Sequence, residues 1–289
     1  MHFNFILMQV EKTIISLNNT LSAYKESEKK VGLVPTMGAL HKGHFSLIKQ
    51  SLSFDDITVV SIFVNPTQFN NKEDSVSYPR NISEDLSLIS ALLKENDIVF
   101  APAENEMYKD KEIKKYDLGG LDQTMEGKHR PGHFNGVAQV VSILFDIVKP
   151  HKAFFGQKDF QQLTIIKELV KQLDLDIEIV SCPIIREENG LAMSSRNRRL
   201  DEKTRDDAAI IYKTLQSVIE KKDEKSPSEL ARWGKKIIAN HPAIELEYFR
   251  IVNTGDLQPA KKWGGTGEQV ACVAVKINNV RLIDNMIFP

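Results

Sequence analysis

The chain has 289 residues, 42% hydrophobic and 27% charged, a composition typical of folded globular proteins and unlike that of disordered or fibrous chains. Its 38 basic and 39 acidic residues leave a formal charge of -1, so no overall positive field is present to hold DNA or RNA. The chain is longer than one ordinary compact domain, and its length therefore favours two domains.

The cysteines and the N-terminal segment disfavour further classes of protein. Cys182 and Cys272 stand far apart without a CxxC or Cys/His cluster, so neither a disulfide framework nor a zinc site is predicted. The apolar stretch 1–10 lacks a basic start and a small-residue cleavage site, and no apolar run reaches transmembrane length. We therefore expect a cytoplasmic protein that does not bind membranes.

Short runs of β-branched residues alternate with segments of helical spacing from position 31 to 182, which is typical of β-α units around a parallel sheet. The predicted strands are Val31–Pro35, Ile57–Asn65, Asp97–Phe100, Lys152–Phe155 and Ile177–Cys182. The predicted helices are Gly43–Ser53, Ser83–Glu95, Phe134–Val148 and Phe160–Leu173, the last with Asp159 as its N-cap. Residues 1–182 are thus predicted to form a Rossmann-like α/β domain.

The alternation stops near Pro183, where a charged loop from Arg186 to Arg205 begins. Two amphipathic helices are predicted after it, Asp206–Lys221 and Ser228–Asn240. Two later segments, Glu245–Val252 and Gln269–Ile277, alternate apolar and polar residues as antiparallel strands with one wet face do. Residues 183–289 are therefore predicted to form a smaller α+β domain.

The segment PTMGALHKGH, at positions 35–44, lies between the first predicted strand and the first predicted helix, where ligands collect in α/β domains. The unpaired N–H groups and the positive dipole end of the new helix favour phosphate, and Gly38 and Gly43 let it approach closely. His41 and His44 can project to one side of the first turn and donate to a triphosphate. The segment predicts a phosphate site.

The spacing and context of the two histidines also bear on three other interpretations of this segment. Two histidines three residues apart are often surface or helix-capping residues, but the strand-loop-helix position favours anion binding. A P-loop would need lysine in place of His44 and Ser or Thr in place of Phe45. The zinc-protease pattern HExxH, with its general-base glutamate, is also missing.

Two further segments carry side chains suited to the same chemistry. The residues from Gly156 to Asp159 again join a strand to a helix and bring Lys158 to the phosphate end of the cleft. Gln68 ends a strand-derived loop, and its amide can both donate to and accept from a hydroxylated acid or an amine.

The segment PTMGALHKGH resembles the signature of pantothenate synthetases, within the wider group of HxGH nucleotidyltransferases that includes class I aminoacyl-tRNA synthetases. The resemblance covers nearly the whole chain through five more segments in the right order. They are FVNPTQF at 63–69, YPR at 78–80, HFNGV at 133–137, FFGQKDFQQL at 154–163 and GLAMSSRN at 190–197.

The resemblance implies an AMP-forming ligase that activates pantoate with ATP as pantoyl-adenylate and passes the acyl group to β-alanine. The products would be pantothenate, AMP and pyrophosphate, and the catalytic residues would be His44, His41, Lys158 and Arg196. Family descriptions treat the residue matching His44 as a proton donor. A carboxylate nucleophile arrives already ionised and needs no general base, so we expect His44 to stabilise phosphate instead.

The resemblance also implies binding residues. Gln68 and Gln162 would bind pantoate, Gln68 also β-alanine, and Met193–Arg196 resembles the mobile KMSKS-type loop, which makes 183–289 a lid domain. The implied ATP site comprises Met37, Gly38, Ala39, Leu40, His41, Lys42, Gly43, His44, Gly156, Gln157, Lys158, Asp159, Ile185, Met193, Ser194, Ser195 and Arg196.

The match is inexact at two places. Mg²⁺ is expected because triphosphate chemistry usually needs a metal bridging phosphate oxygens, and Glu84 and Asp85 occupy the place of a family acidic pair, with Glu as a departure. Gln157 stands where the family usually has Glu, so the loop lacks one carboxylate. The expected small-molecule partners are pantoate, β-alanine and ATP. Because the family is commonly dimeric, a second copy of the chain is also expected as a partner.

Two alternatives stay open on sequence alone. The chain can be another HxGH adenylyltransferase or a tRNA-charging relative, with a different acceptor. It can also be a nucleotide-binding regulatory protein that keeps the cleft without turnover.

Overall fold

The computed structural model describes residues 8–70, 78–108, 114–265 and 267–289, so most of the apolar stretch 1–10 lies outside it. Its larger sheet has six strands, all parallel, in the order β1-β4-β3-β2-β5-β6. The strands are β1 Gln9–Glu11, β2 Val31–Thr36, β3 Ile57–Ile62, β4 Ile98–Phe100, β5 Lys152–Gly156 and β6 Glu178–Cys182. The predicted parallel α/β architecture is confirmed.

Helices connect these strands, and three of the four predicted ones lie close to their predicted bounds, whereas Ile14–Glu26, Glu104–Tyr108 and Met125–His129 were not predicted. The helices are Ile14–Glu26, Lys42–Phe54, Ile82–Ser90, Glu104–Tyr108, Met125–His129, His133–Val148 and Phe160–Gln172. The strand expected to reach Asn65 ends at Ile62, because Asn65 caps a 3-10 turn, Pro66–Gln68, whose first residue cannot donate to a ladder. The helix expected to reach Glu95 ends at Ser90.

The second sheet is antiparallel, in the order β7-β8-β9, with strands β7 Glu245–Asn253, β8 Gln269–Ile277 and β9 Val280–Ile287. Its helices are Glu202–Ala208, Ile210–Glu220 and Pro227–Ala239. The prediction of one helix over Asp206–Lys221 was wrong, since the chain forms two helices that meet at Ala209. The last strand, β9, was not predicted.

The chain divides into two compact units, one holding the residues up to Gly156 with Ile165–Cys182, the other holding Gln157–Thr164 with Pro183–Pro289. The eight residues Gln157–Thr164 therefore group with the C-terminal unit and not with the 1–182 domain expected from sequence. Side-chain hydrogen bonds from β9 to Gln157 and Lys158 give the physical reason. None of the helices in the described ranges has both the length and the apolar character needed to cross a membrane.

Each unit has an apolar core of its own. In the first, fully buried side chains of the parallel strands pack with those of the flanking helices, among them Val34, Ile48, Val60, Val99 and Phe154. In the second, the three-stranded sheet packs against its helices through Leu215, Val218, Leu230, Ile238 and Val275. Burial of this apolar surface is the main favourable contribution to the folding of each unit.

The strand order of the parallel sheet identifies the position at which a ligand is expected to bind. From β2 the chain proceeds through β3 to β4 on one side, then crosses back to β5 on the other side of β2. The strand order reverses between β2 and β5, and ligands in open α/β sheets bind at the carboxyl ends of strands at such a switch point. The segments that follow Thr36 and Gly156 both start there.

A buried carboxyl group at the opposite, amino end of the sheet gives a prediction about pH. Asp55 is 7% exposed, and neither of its oxygens has a well-formed hydrogen bond among the described residues. Burial raises the pKa of this carboxyl from 3.8 to about 6, and Lys152 offsets only part of the effect. The native state therefore holds a proton that the unfolded chain releases, so the free energy of unfolding falls as the pH rises from about 4 to 6.

Asp55→Asn is expected to remove this slope and to flatten the pH dependence by about 1–2 kcal/mol between pH 4 and pH 7, after allowing for solvent screening. Urea unfolding at several pH values measures it. Asp56→Asn is the matched control, because the pKa of Asp56 is lowered by a backbone hydrogen bond at Lys30, and its removal should change the slope with the opposite sign. A slope that survives in Asp55→Asn would contradict the assignment.

Candidate functional site

The loop that follows β2 is held in an unusual backbone conformation by one carboxylate. Gly38 and Ala39 have φ values of 79° and 51°, in the left-handed region. Asp85 accepts hydrogen bonds from the backbone N–H of Ala39 (2.9 Å) and of Leu40 (2.7 Å), and Thr36 Oγ1 accepts from Gly38 N. A Cβ at Gly38 would lie 2.8 Å from Asp85 Oδ2, so the position requires glycine for space as well as for conformation.

The two histidines begin the helix Lys42–Phe54 as a capping box. His41 Nδ1 accepts from the backbone N–H of Gly43 (3.1 Å), and His44 Nδ1 accepts from that of His41 (3.3 Å). The ring centroids lie 4.0 Å apart. Because each Nδ1 accepts a hydrogen bond, the proton of each neutral imidazole is on Nε2, which makes both rings Nε2–H donors. Capping and anion binding, which the sequence left as alternatives, are compatible in one geometry.

The predicted metal role of Glu84 and Asp85 does not fit this geometry. Both oxygens of Asp85 accept backbone N–H donors, and its side chain is 3% exposed. Glu84 is exposed in the first turn of the helix Ile82–Ser90, where Asn81 Nδ2 donates to its carboxylate. A magnesium ion at Asp85 would have to approach a buried carboxylate and compete with the contacts that shape the loop before His41. We therefore assign this pair no metal.

Gln68 lies in the 3-10 turn Pro66–Gln68 and is oriented from both ends of its amide. Its Oε1 accepts from Asn65 Nδ2 (3.1 Å), and its Nε2 lies 3.0 Å from Met37 Sδ in the loop after β2. Its backbone oxygen lies 2.8 Å from His133 Nδ1. The structure thus brings Gln68 and Met37, both predicted as site residues, into direct contact.

Asn65 and His133 support this turn, and sequence reasoning assigned neither of them a role. Asn65 Nδ2 also donates to Gly136 O, and Tyr108 donates its hydroxyl to Asn65 Oδ1. Burial raises the pKa of Tyr108, so the phenol stays protonated as a donor. Asn65 lies in the segment FVNPTQF and His133 in the segment HFNGV, which both carry the resemblance. An Asn before Pro is itself a turn signal.

Gly136 lets the helix His133–Val148 approach the turn that carries Gln68. A Cβ at this position would overlap Thr67 O and lie 2.8 Å from Gln68 N. Gly136→Ala is therefore expected to displace Gln68 and to raise about tenfold or more the KM for pantoate, the substrate that the resemblance predicts at Gln68, since misplacement of a positioning group by about 1 Å has effects of this size. Steady-state kinetics with that predicted substrate varied measures it.

Gly255→Ala is the matched control for this substitution, because a Cβ at Gly255 meets nothing within 4 Å and its φ is not in the left-handed region. It should leave the KM unchanged. An unchanged KM in Gly136→Ala as well would contradict the predicted role of Gln68 in binding that substrate.

The residues predicted after β5 belong to the C-terminal unit. Gln157–Asp159 forms a 3-10 turn that runs directly into the helix Phe160–Gln172, so Asp159 ends this turn where a single N-cap residue was expected. Lys158 Nζ lies 3.7 Å from the carboxylate of Asp159, and Gln162 is half-buried in the first turn of the helix. Gln157 Nε2 donates to Asn285 Oδ1 on β9, a bond that a glutamate could not donate.

The segment predicted as a charged loop from Arg186 to Arg205 is ordered by local hydrogen bonds. Arg186 forms a bridge with Ala192, and Met193 N donates to Ile185 O (2.9 Å), so residues 185–193 fold back as a short hairpin. Ser194 then caps a 3-10 helix, Ser195–Arg199, with its hydroxyl accepting from Arg196 N. Ser194, Ser195 and Arg196 therefore lie on an ordered turn, in which Ser195 is buried.

Comparison with known proteins places this geometry in context. The family model described as pantoate-beta-alanine ligase matches residues 9–287. A pantothenate synthetase of Bacteroides fragilis is 50% identical over 279 residues, covering 96% of this chain and 98% of that protein. One from Flavobacterium psychrophilum is 48% identical over 267 residues, covering 92% of this chain and 94% of that protein.

Solved structures that are similar to this chain come from the same family. Pantothenate synthetase from Thermus thermophilus has a TM-score of 0.90 at 37% identity, covering 98% of this chain and all of that one (100%). Pantoate-beta-alanine ligase from Francisella tularensis, complexed with beta-gamma ATP and beta-alanine, has a TM-score of 0.79 at 34% identity, covering 97% of each chain.

Proposed function

This chain belongs to the pantoate-β-alanine ligase family, and we propose that it joins pantoate to β-alanine in two steps, through a pantoyl-adenylate formed from ATP. One observation carries the proposal. The paired imidazoles of His41 and His44 stand at the N-terminus of a helix that begins at the switch point of the parallel sheet. Helix N-termini and Nε2–H donors both favour phosphate.

In the first step a carboxylate oxygen of pantoate attacks the α-phosphorus of ATP, and the bond to pyrophosphate breaks. No proton is transferred, because the carboxylate is already ionised. His41 and His44 donate Nε2–H to oxygens on which negative charge develops, and Lys158 and Arg196 offset the charge of the departing pyrophosphate. The residues Met37–His44, Gly156–Asp159, Ile185 and Met193–Arg196 would together form the ATP site, Ile185 through its backbone.

In the second step the neutral amine of β-alanine attacks the acyl carbon of the adenylate. The bond from that carbon to the phosphate oxygen breaks, AMP leaves with the electron pair, and the ammonium proton passes to solvent. Gln68 would orient pantoate and β-alanine, because Asn65 and Met37 fix its amide, and Gln162 would bind pantoate. The reaction uses no Ser or Cys nucleophile.

Four further features are part of the proposal. Mg²⁺ would arrive bound to the phosphate oxygens of ATP, which is how magnesium often enters phosphate sites, and not on Glu84 and Asp85. Closure of residues 183–289 as a lid would exclude water from the adenylate. The resemblance supports a homodimer, and the buried free thiols of Cys182 and Cys272 are compatible with the reducing cytoplasm.

The test is mass-spectrometric detection of enzyme-bound pantoyl-adenylate when ATP and pantoate are supplied and β-alanine is omitted. We expect the adenylate to accumulate, pyrophosphate release to require pantoate, and free AMP to appear only when β-alanine is added. Adenylate formation with a different acid would favour another HxGH adenylyltransferase. ATP binding without any turnover would favour a regulatory protein, and either result would overturn the proposal.

A further inference from the structure

Two adjacent residues of β9, Asp284 and Asn285, are polar and buried, at 4% and 2% exposure. Neither is part of the ATP or pantoate sites proposed above. Successive side chains of a strand point to opposite faces of the sheet, so this pair can reach two different segments. Both segments that it reaches carry a proposed catalytic residue.

Asn285 holds the turn that carries Lys158. Its Nδ2 donates to the backbone oxygens of Gln157 and of Lys158, each at 2.9 Å, and its Oδ1 accepts from Gln157 Nε2 at 3.3 Å. Both donors of the Asn285 amide are thus used on two consecutive carbonyls. The bonds fix the backbone at Lys158 from a strand more than a hundred residues later in the chain.

Asp284 holds the base of the hairpin that leads to Arg196. Its two oxygens accept from Arg186 in a bidentate pair, at 2.6 Å from Nη1 and 3.1 Å from Nη2. Arg186 also donates to Gly190 O across the hairpin and lies 4.1 Å above the ring of Tyr212. Asp284 Oδ1 also accepts from the backbone N–H of Asn285, so this carboxylate contacts both Arg186 and the backbone of Asn285.

We propose that Asp284 and Asn285 are positioning residues for adenylate formation, Asn285 acting through Lys158 and Asp284 acting through Arg186 on the segment that carries Arg196. The inference rests on the roles given to Lys158 and Arg196 in the proposed function. Two neighbouring residues of β9 would then position both Lys158 and Arg196, the cations proposed to contact the triphosphate. These bonds, made by two side chains that are themselves buried, restrict the backbone far more than a surface contact does.

The experiment is a double-mutant cycle on the full-length enzyme, read by pantoate-dependent exchange of pyrophosphate into ATP. Asn285→Ala should lower the exchange rate about 10- to 100-fold, because a displaced cation no longer meets the developing charge. In the Lys158→Ala background the same change should lower it less than about twofold, because the residue through which it acts is gone. Aminolysis of pre-formed pantoyl-adenylate, which releases AMP and not pyrophosphate, should change little in Asn285→Ala.

Asn253→Ala is the matched control, since Asn253 lies on the same sheet and its side chain donates locally, to Asp256 in the turn that follows β7. It should keep the wild-type exchange rate. If Asn285→Ala does not fold, Asn285→Asp keeps the shape and the acceptor while removing both donors, and the same cycle is run with it. For Asp284 the paired cycle is Arg186→Lys with Arg196→Ala, since lysine keeps the charge and loses the bidentate geometry.

Equal losses in the wild-type and Lys158→Ala backgrounds, or equal losses of exchange and aminolysis, would overturn the inference, because they indicate general destabilisation. No loss in Asn285→Ala would overturn it too. The proposed function has a separate readout, the pantoyl-adenylate made by the wild-type enzyme. If the wild-type enzyme makes the adenylate but the effects of Asn285→Ala and Lys158→Ala are additive, only the positioning role is rejected. If the wild-type enzyme makes no adenylate, the proposed function itself is rejected.

Discussion

Replacing His44 with alanine is expected to lower pantoate-dependent pyrophosphate exchange by about 100- to 1000-fold, the effect of removing one preorganised donor from a developing anion. The reason lies in the capping box. Nδ1 of His44 accepts from the backbone N–H of His41, so the ring is fixed with its Nε2–H as the donor. The same substitution removes a helix cap and should lower the free energy of unfolding by only about 0.5–2 kcal/mol.

A second capping box separates the two effects of this substitution. At the start of the helix Pro227–Ala239, Glu229 occupies the same position in the box, and Ser226 N donates to its carboxylate (2.9 Å). Glu229→Ala should cost similar stability and leave the exchange rate unchanged. If Glu229→Ala and His44→Ala lower the exchange rate equally, or if His44→Ala leaves it intact, His44 is a capping residue and nothing more.

Asp85→Ala is expected to be the most destabilising of the predicted substitutions. It removes the shared acceptor of two buried backbone N–H groups, those of Ala39 and Leu40. Hydrogen bonds to a charged acceptor contribute about 1.5–3 kcal/mol each, so the loss of two should lower the free energy of unfolding by about 3–6 kcal/mol. Exchange activity should fall with it, because the left-handed turn that delivers His41 is no longer held. Urea unfolding and exchange kinetics measure both.

The neighbouring carboxylate distinguishes this account from a metal site. Glu84 is the other member of the acidic pair, and it lies exposed at the start of the helix, where Asn81 Nδ2 donates to its carboxylate. Glu84→Gln should therefore leave stability, exchange rate and the Mg²⁺ concentration for half-maximal rate unchanged. A large rise in the required Mg²⁺ in Glu84→Gln, or in Asp85→Asn at unchanged stability, would restore the pair as metal ligands.

Period and composition were sufficient to predict the parallel sheet. Strands such as β3, in which all six residues are buried, have near-continuous apolar runs, and the helices between them repeat every three to four residues. The three-residue strand β1 gave no such signal, because three residues are too few to show a repeat of the two-residue strand period. The strand β9 was missed because Asp284 and Asn285 interrupt its apolar alternation.

Those interruptions are informative in retrospect. A buried Asp and Asn on a strand each need partners, and these partners, Arg186 and Gln157, lie 98 and 128 residues away in sequence. No local pattern encodes a pairing of that range. In the same way, the sequence marked Asp85 as an acidic residue near the site, but whether its oxygens face a metal or two backbone N–H groups depends on where the helix Ile82–Ser90 docks.

The sequence was most informative where chemistry and local structure coincide. Strand, glycine, histidine and helix follow each other directly in PTMGALHKGH, so a phosphate site could be predicted there from spacing alone. The support of Gln68 by Asn65, His133 and Gly136 needed the tertiary structure, since the three come from two separate segments.

The most direct test of the central claim is a crystal structure of the enzyme with a non-hydrolysable ATP analogue and pantoate. The account predicts triphosphate oxygens within hydrogen-bond distance of Nε2 of His44, of the first N–H groups of the helix Lys42–Phe54, and of Nζ of Lys158. A triphosphate bound away from the carboxyl ends of β2 and β5, with His44 making only its capping contact, would contradict it.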